Sequence, residues 1–285
     1  MEILACAKIN LLLAVGARRA DGYHEIESVM QTLDLYDRLT FEKTDSGRIE
    51  LSCSRPYIPT DERNLVYKAA ARFFETTGLK PDGVKIHLVK NIPVGAGLGG
   101  GSSDAAAALT ALNRLYHTGL SKEELAGIAA GIGADVPFFL YGGACLARGI
   151  GEKLEPIPAL PDVPVLLVKP SFSVSTPKAY AAFDEYGLQP YPDSDAMLAA
   201  LRSGDTGKIC AALGNSLEAP VCAMHPKIAE IRELLLSLSA CGAMMSGAGS
   251  AVFAIFRNKQ EAQNAKLTLS KSYGRCYLTM PVRTV

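Results

Sequence analysis

The chain has 285 residues, with 29 basic and 29 acidic side chains, and 48% of its residues are hydrophobic. This length suits one large domain or two ordinary ones. Because the charges balance, no broad basic field favours nucleic acid or an anionic membrane as a partner, so a charged small molecule would be bound by a few local groups.

The N-terminal segment predicts strands. Residues 3–15 alternate, with Ile9 and Leu11 on one face and Lys8 and Asn10 on the other. The same reasoning predicts strands over 23–35, 37–42 and 48–53, and a helix over 64–77 that ends at Gly78.

A glycine-rich segment separates a predicted strand from a predicted helix. Residues 84–89 alternate as a half-buried strand should, and residues 104–116 are rich in alanine and leucine, as in a buried helix. Ser121 and Glu124 form a capping box that opens the next helix, which ends near Gly131 and Gly133.

A proline-rich stretch divides the chain. Prolines at positions 156, 158, 161 and 164 precede a predicted strand over 165–169, so we place a domain boundary here, with domains over 1–157 and 158–285. The second half predicts helices over 177–186, 197–202, 208–211, 225–237 and 260–270, and strands over 251–256 and 275–278. Strands interleaved with helices in two halves predict an α+β, two-domain protein.

The seven cysteines are scattered and never lie in C-x-x-C spacing, which argues against a disulfide framework or a zinc site. The apolar N-terminus has no preceding basic region and is interrupted by Lys8 and Asn10, which argues against a signal peptide. We therefore expect reduced thiols and a cytoplasmic location.

The glycine-rich segment predicts an anion-binding loop. Free amides at the start of the following helix, its dipole and close backbone approach at glycine suit a phosphate group. Ser102 and Ser103 are good N-cap residues and offer hydroxyls to phosphate or Mg²⁺. The candidate nucleotide-binding residues here are Pro93, Val94, Gly95, Ala96, Gly97, Leu98, Gly99, Gly100, Gly101, Ser102 and Ser103.

Two other phosphate-binding folds compete for this segment. Gly95, Gly97 and Gly100 fit the dinucleotide pattern G-x-G-x-x-G, but residues 91–93 separate them from the strand and no acidic residue ends a following strand. A P-loop requires lysine after its last glycine, whereas Ser102 follows Gly101. The pattern therefore excludes a P-loop and leaves a Rossmann oxidoreductase as an alternative.

Phosphoryl transfer to an alcohol needs a carboxylate for the hydroxyl proton and cations on the phosphates. Lys8 lies on the polar face of an apolar strand, and Asp135 lies among small and apolar residues just past a helix end. By themselves they fit equally well a solvated edge-strand lysine and an N-cap aspartate.

Four ordered segments resemble the GHMP kinases, a family that includes galactokinase, homoserine kinase and mevalonate kinase. They are AKINLLLAVGARRADGYHEIESV, PVGAGLGGGSSDAAA, GADVPFFLYGGACLARGIGEKLEPI and MMSGAGSAVFAIF. The resemblance is strongest to the branch that phosphorylates the 2-hydroxyl of a diphosphocytidyl polyol, in the non-mevalonate pathway to isoprenoid precursors. It implies an N-terminal ATP-binding domain of the ribosomal protein S5 domain 2-like fold and a ferredoxin-like C-terminal domain.

The resemblance also implies roles for individual residues. Asp135 would accept the proton of the substrate hydroxyl, and Lys8 would keep Asp135 ionised and stabilise charge on the reacting oxygens. Residues 246–250 resemble the third motif of the family, a turn that approaches the phosphate loop. Asn64 and Lys90 match positions that border the adenine of ATP.

The same likeness implies a site for the cytosine base. His24 would bind the edge of the base, Tyr23 and Tyr180 would stack on its ring, and Asn10 and Thr176 would contact the substrate. Without the resemblance, His24 would be read as a surface histidine, Tyr23 as a packing residue and Asn64 as a local hydrogen-bonding residue of a helix start.

The predicted ligands are ATP, Mg²⁺ and a small-molecule alcohol, with no nucleic acid or membrane partner and a monomer or weak homodimer as the assembly. The sequence does not identify the metal ligands. A homoserine- or mevalonate-type kinase, a Rossmann oxidoreductase and a catalytically silent small-molecule binder remain as alternatives.

Overall fold

The computed structural model describes residues 1–79, 83–187, 191–273 and 275–283. The strands are β1 (Glu2–Arg18), β2 (His24–Lys43), β3 (Ile49–Cys53), β4 (Val84–Val89), β5 (Ala144–Gly149), β6 (Lys153–Pro156), β7 (Val165–Val168), β8 (Gly214–Asn215), β9 (Gly242–Met245), β10 (Val252–Ile255) and β11 (Cys276–Thr279). The helices are α1 (Leu65–Thr77), α2 (Gly100–Tyr116), α3 (Lys122–Ala130), α4 (Val136–Tyr141), α5 (Thr176–Tyr186), α6 (Ser194–Ser203), α7 (Thr206–Ala211), α8 (Glu218–Met224), α9 (Lys227–Ser237) and α10 (Lys259–Tyr273). The predicted α+β class is confirmed.

The first sheet is built around the long antiparallel pair of β1 and β2. Residues 23–35 and 37–42, predicted as two strands, form one strand with an irregularity where Cys6 pairs with Tyr36 and Ala7 with Leu33. The two residues between Leu33 and Tyr36 form a bulge, which bends a strand without ending it. Alternation of side chains is interrupted there, and this is why the sequence suggested a break.

The first sheet is mostly antiparallel. Its order is β3-β4-β2-β1-β8, with β5 on another part of β2 and β6 on β5, and among the described residues only the β3–β4 and β1–β8 pairs of this sheet are parallel. A Rossmann fold requires a doubly wound parallel sheet at its glycine turn. The alternative of a dinucleotide-binding oxidoreductase is therefore wrong. Helices α1 to α4 cover one face of this sheet and enclose a core that includes Phe73 and Phe138.

The second sheet has the order β11-β7-β10-β9 and is antiparallel throughout. An apolar cluster joins the two sheets, because Ile9 and Leu11 of β1 belong to the same buried group as Leu167 of β7 and Phe253 of β10. The strand β8, from the second half of the chain, also pairs with β1. The division at residues 157 and 158 remains a prediction.

Several elements differ from the sequence prediction. Helix α2 begins at Gly100 and its N-cap is Gly99 in a left-handed conformation, so Ser102 and Ser103 are not its N-cap. The short elements α4, α8, β5, β6, β8 and β9 were not predicted. None of the described helices combines the length and the apolar composition needed to cross a membrane.

Candidate active site

A cavity of about 880 Å³ lies where the two halves of the chain meet, and it collects the residues predicted as a site. Lys8 and Asn10 come from β1, Asp135 from the start of α4, His24 from the start of β2 and Tyr180 from α5, and most of the others from loops and helix starts. The other predicted residues that line it are Tyr23, Asn64, Lys90, Pro93, Val94, Gly95, Ala96, Gly97, Leu98, Gly99, Gly100, Gly101, Ser102 and Thr176. Of the predicted residues, Ser103 alone lies outside the lining.

The loop between β4 and α2 presents unpaired backbone donors. Gly95, Gly97 and Gly99 have φ values of 60°, 75° and 68°, a region that residues with a Cβ rarely adopt. Within the described part of the chain, no backbone N–H of residues 95–102 donates a hydrogen bond to another protein group. Such a run of free amides at the start of a helix is an anion-binding site.

A turn from the second sheet packs directly on this loop. The hydroxyl of Ser246 donates to the carbonyl of Gly97 at 2.9 Å, and the amide of Ala251 donates to the carbonyl of Ala96 at 3.1 Å. A Cβ atom at Gly97 would lie 2.0 Å from the carbonyl oxygen of Ser246. The loop is thus fixed from the other half of the chain, and glycine is required at the contact.

Lys8 and Asp135, which are remote in sequence, meet in the cavity. The ammonium of Lys8 lies 3.5 Å from Oδ2 of Asp135, and the Lys8 side chain is 5% exposed whereas that of Asp135 is 38% exposed. Asp135 occupies the N-cap of α4, but its side chain makes no capping hydrogen bond. An aspartate that only capped the helix would use its carboxylate there.

Two further polar residues hold the Lys8 ammonium in place. It donates to Oδ1 of Asn10 at 2.6 Å, the amide of Asn10 donates to Oγ of Ser28 at 2.8 Å, and Ser28 donates to the carbonyl of Leu12 at 2.8 Å. All of these groups are buried, so each needs a partner. Ser28 was not among the predicted site residues, although a serine within the apolar run of β2 was a signal.

Lys90 lines the cavity, but its ammonium is bound by two carboxylates. It donates to Asp37 on β2 and, at 2.7 Å, to Asp104 on α2. Asp37 also accepts the amides of Asn91 and Ile92, at 2.6 and 2.8 Å. Burial raises the pKa of the Asp104 carboxyl well above its usual value, although the charge of Lys90 opposes the rise. This ion cluster ties both ends of the glycine-rich loop to the sheet.

Asn64 also lines the cavity, and its side-chain groups are used locally. Its Oδ1 accepts the amide of Val66 at 2.9 Å as the N-cap of α1, and its amide donates to the carbonyl of Pro59 at 2.7 Å. Asn64 therefore shapes the wall beside the loop. Its polar atoms are occupied within the protein.

The predicted base-binding residues line the same cavity. Tyr23 is 60% exposed, whereas His24 is buried and its ring lies 5.3 Å from that of Tyr180, at a tilt of 31°. Burial raises the pKa of Tyr180 to about 12, and the charge of Asp135 adds to the rise. Tyr180 thus contacts the ring of His24 and lies within range of the charge of Asp135. Thr176 opens the same helix, α5.

Ser103 does not point at the cavity. It is 2% exposed, its amide donates to the carbonyl of Gly99, and its hydroxyl lies against the buried thiol of Cys6. Because α2 begins at Gly100, Ser103 is already in the second helical turn and faces the sheet. Ser102 is thus the hydroxyl of this pair that can reach a ligand.

The arrangement combines an anion cradle with a cation and a carboxylate. Phosphates bound on amides 95–102 would lie near Lys8, whose amide donates to the carbonyl of Leu98 at 3.0 Å. Asp135 is open enough to contact a ligand, and its carboxylate lies 3.5 Å from the ammonium of Lys8. These are the groups that phosphoryl transfer to a hydroxyl requires.

Both halves of the chain match models of one protein family. Residues 64–143 match the model described as GHMP kinases N terminal domain, and residues 197–275 match GHMP kinases C terminal. The first match contains the glycine-rich loop and Asp135, and the second contains the turn that packs on the loop.

Individual relatives match along nearly the full length. The chain is 42% identical over 282 residues to a Clostridium beijerinckii protein named 4-diphosphocytidyl-2-C-methyl-D-erythritol kinase, covering 99% of this chain and 100% of that one. It is 47% identical over 261 residues to a Pelotomaculum thermopropionicum protein of the same name, covering 91% and 90%. A crystal structure of 4-(cytidine 5'-diphospho)-2C-methyl-D-erythritol kinase superposes with a TM-score of 0.84, at 41% identity and 99% coverage of both chains.

Proposed function

The chain belongs to the GHMP kinase family, and from that premise we propose that it transfers the γ-phosphoryl group of ATP to the 2-hydroxyl of 4-diphosphocytidyl-2-C-methyl-D-erythritol. It is a kinase of isoprenoid precursor synthesis, as its relatives at 42% and 47% identity are. The observation that carries the proposed mechanism is the 3.5 Å contact of Lys8 with Asp135, opposite the free amides of residues 95–102.

Asp135 is the proposed general base. Its carboxylate accepts the proton of the substrate hydroxyl as the oxygen attacks the γ-phosphorus. Lys8, 3.5 Å from this carboxylate, places positive charge beside the transferred group, where negative charge is spread over the phosphoryl oxygens. Asn10 and Ser28 hold the Lys8 ammonium, so the geometry exists before the substrates bind.

The glycine-rich loop is the proposed ATP phosphate site. The amides of residues 95–102 donate to the phosphate oxygens, and the contacts of Ser246 and Ala251 keep the loop in the shape that presents them. Asn64 and Lys90 form the wall beside the adenine pocket through their own hydrogen bonds.

Mg²⁺ is the proposed metal, bound to the nucleotide. Among the described residues there is no group of three His, Cys, Asp or Glu side chains that could hold a metal ion. Phosphate oxygens and water would therefore supply most ligands, with the hydroxyl of Ser102 available in the cavity. When bound, the ion neutralises charge on the phosphates.

The cytidine end of the substrate is proposed to lie against Tyr23, His24 and Tyr180, where one tyrosine is exposed and ready to stack. Asn10 and Thr176 line the path from this end to the reacting centre. An aromatic ring can stack on any base. The selection of cytosine therefore depends on groups that form hydrogen bonds with its edge.

The location, assembly and domain division are further parts of the proposal. All seven cysteines are free, which favours the reducing cytoplasm. We propose a monomer or weak homodimer with domains over 1–157 and 158–285, since β6 ends before this point and β7 begins after it.

The experiment that tests the function is coupled ADP release with ATP and Mg²⁺ across a panel of acceptor alcohols. We expect ADP release with the diphosphocytidyl polyol and at most background release with homoserine or mevalonate. Turnover of homoserine or mevalonate in preference to the cytidine compound would overturn the substrate assignment, and release without any alcohol would point to an ATPase.

A further inference from the structure

His24 is fixed by a residue for which the sequence predicted no role. Its Nε2 lies 2.8 Å from Oδ1 of Asp184 on α5, and its side chain is 5% exposed. A carboxylate can only accept, so the hydrogen of this bond belongs to Nε2 of His24. Arg18 approaches the other oxygen of Asp184 at 3.8 Å.

The second ring nitrogen of His24 is left for a ligand. In the described part of the chain Nδ1 has no hydrogen-bond partner. It is also not one of the fully buried polar atoms that lack a partner, so it retains some solvent exposure. His24 lines the cavity, and we infer that Nδ1 is the ring nitrogen that faces it. With the hydrogen on Nε2, the neutral ring presents a lone pair at Nδ1.

The plane of the imidazole is fixed by the same helix. Tyr180 lies 5.3 Å from the ring of His24 at a tilt of 31°, and Phe183 meets it edge-on at 5.9 Å and 89°. Positions 180, 183 and 184 share one face of α5, because residues three and four apart are neighbours on a helix. One helical face thus sets both the orientation and the tautomer of His24.

We propose that Asp184 is a positioning residue that fixes the Nε2–H tautomer of His24 and thereby makes the site select cytosine over uracil. The inference rests on the proposed function, which places the substrate base against His24. Cytosine carries an amino group, a donor, where uracil carries a carbonyl oxygen, an acceptor. A hydrogen-bond acceptor at Nδ1 pairs with the amino group of cytosine and leaves the carbonyl oxygen of uracil without a partner.

The test is isothermal titration of the full-length protein with CMP and with UMP. We expect the wild type to bind CMP roughly tenfold more tightly than UMP. This ratio corresponds to the free energy of one hydrogen bond that is formed with CMP and left unformed with UMP. In Asp184→Asn the side-chain amide can either accept from or donate to Nε2, so both tautomers become accessible. The preference should then fall to about twofold or less, mainly through weaker CMP binding.

Glu185→Gln is the matched control, because it removes the same charge at the next, exposed position of α5. It should keep the CMP preference of the wild type. Affinity for an ATP analogue should be unchanged in both variants, which shows that the fold of the site is intact. A merely structural role for Asp184 would lower the affinities for CMP, UMP and the ATP analogue together.

Nitrogen NMR of histidine-labelled protein reports the tautomer without any substrate. The chain has four histidines, and His24→Gln assigns the signal. We expect Nε2 of His24 to carry the hydrogen in the wild type and in Glu185→Gln, and a mixture of tautomers in Asp184→Asn. Hydrogen on Nδ1 in the wild type, equal affinity for CMP and UMP, or an unchanged preference in Asp184→Asn would each overturn the inference. The ADP-release panel, which uses the whole substrate, would still stand as the separate test of the activity.

Discussion

The proposed roles of Asp135 and Lys8 depend on where the fold places them. Each fits a structural role in the sequence, and their 3.5 Å contact inside one cavity is what favours the proposed catalytic role over capping and solvation. The environment differs for the two partners. Lys8 is enclosed and hydrogen-bonded to Asn10, whereas Asp135 is open to a ligand.

Asp135→Asn should lower kcat by about 100-fold or more, as expected for the loss of a general base. The shape of the side chain is kept, so the affinity for an ATP analogue should change little. Steady-state kinetics and an ATP-analogue titration check both statements.

Asp162→Asn is the control for this variant, because Asp162 is 68% exposed and does not line the cavity. It should behave like the wild type. Near-normal turnover in Asp135→Asn would remove Asp135 from the role of base.

The glycine-rich loop depends on backbone geometry that only glycine provides. Gly97 combines a φ of 75° with a contact that leaves no room for a Cβ atom. We expect Gly97→Ala to displace the loop from the Ser246 turn and to lower kcat/KM for ATP by about 100-fold, since small misplacements of positioning groups have effects of this size.

Gly127→Ala provides the matched control. Gly127 lies in α3, has ordinary helical geometry and would place its Cβ in open space. Activity should be kept, with a gain in stability of about 0.5 to 1 kcal/mol from the better helix former. If Gly97→Ala were as active as Gly127→Ala, the loop would not have to be held in this shape.

The ion cluster of Lys90, Asp37 and Asp104 joins β2, the glycine-rich loop and α2. Asp37→Asn removes a charge that binds Lys90 and two backbone amides, and breaking a buried ion pair costs about 3 to 5 kcal/mol. Asp104→Asn should cost less, because burial already raises the pKa of this carboxyl and its Oδ1 has no partner within the described residues.

Urea unfolding of the two variants measures this order directly. A larger loss of stability in Asp104→Asn than in Asp37→Asn would contradict the order. We also expect a raised KM for ATP in Asp37→Asn, because the loop amides of Asn91 and Ile92 lose a charged acceptor.

The sequence predicted the long, strongly patterned elements well. The strand β4 was predicted with its observed bounds, and the helices α1, α3 and α5 to within one or two residues, because caps and alternation are local signals. The short helix α4 was missed, since it has six residues, a proline in its first turn and flanking glycines. The strand β8 has two residues and is defined only by its partner β1.

The site was predictable where a residue belonged to a motif. Lys8, Asp135 and the glycine-rich loop were identified in this way, and they lie together. Ser28, Asp37 and Asp184 were not identified, because each acts through a partner at least 18 residues away in the sequence. Such pairs are brought together only by the fold, so a local sequence pattern does not predict them.

The two halves of the protein share a core, which should make unfolding cooperative. The cluster around Ile9, Leu167 and Phe253 spans both sheets, and the turn at Ser246 joins them again above the loop. We expect one thermal transition, with circular dichroism and tyrosine fluorescence giving coincident curves. Saturation with an ATP analogue at 100 times its Kd should stabilise the whole protein by about 2.7 kcal/mol.

Two separated transitions, with only the first shifted by the nucleotide, would contradict this expectation. They would show that the shared cluster contributes too little to couple the halves. The parts of the chain on either side of residues 157 and 158 would then unfold independently of each other.

The most direct test of the account is a crystal structure with a non-hydrolysable ATP analogue and the diphosphocytidyl polyol. The account predicts phosphate oxygens on the amides of residues 95–102, and the 2-hydroxyl of the polyol within about 3.2 Å of the Asp135 carboxylate, in line with the γ-phosphorus. Phosphates bound away from those amides, or a hydroxyl facing away from Asp135, would contradict it.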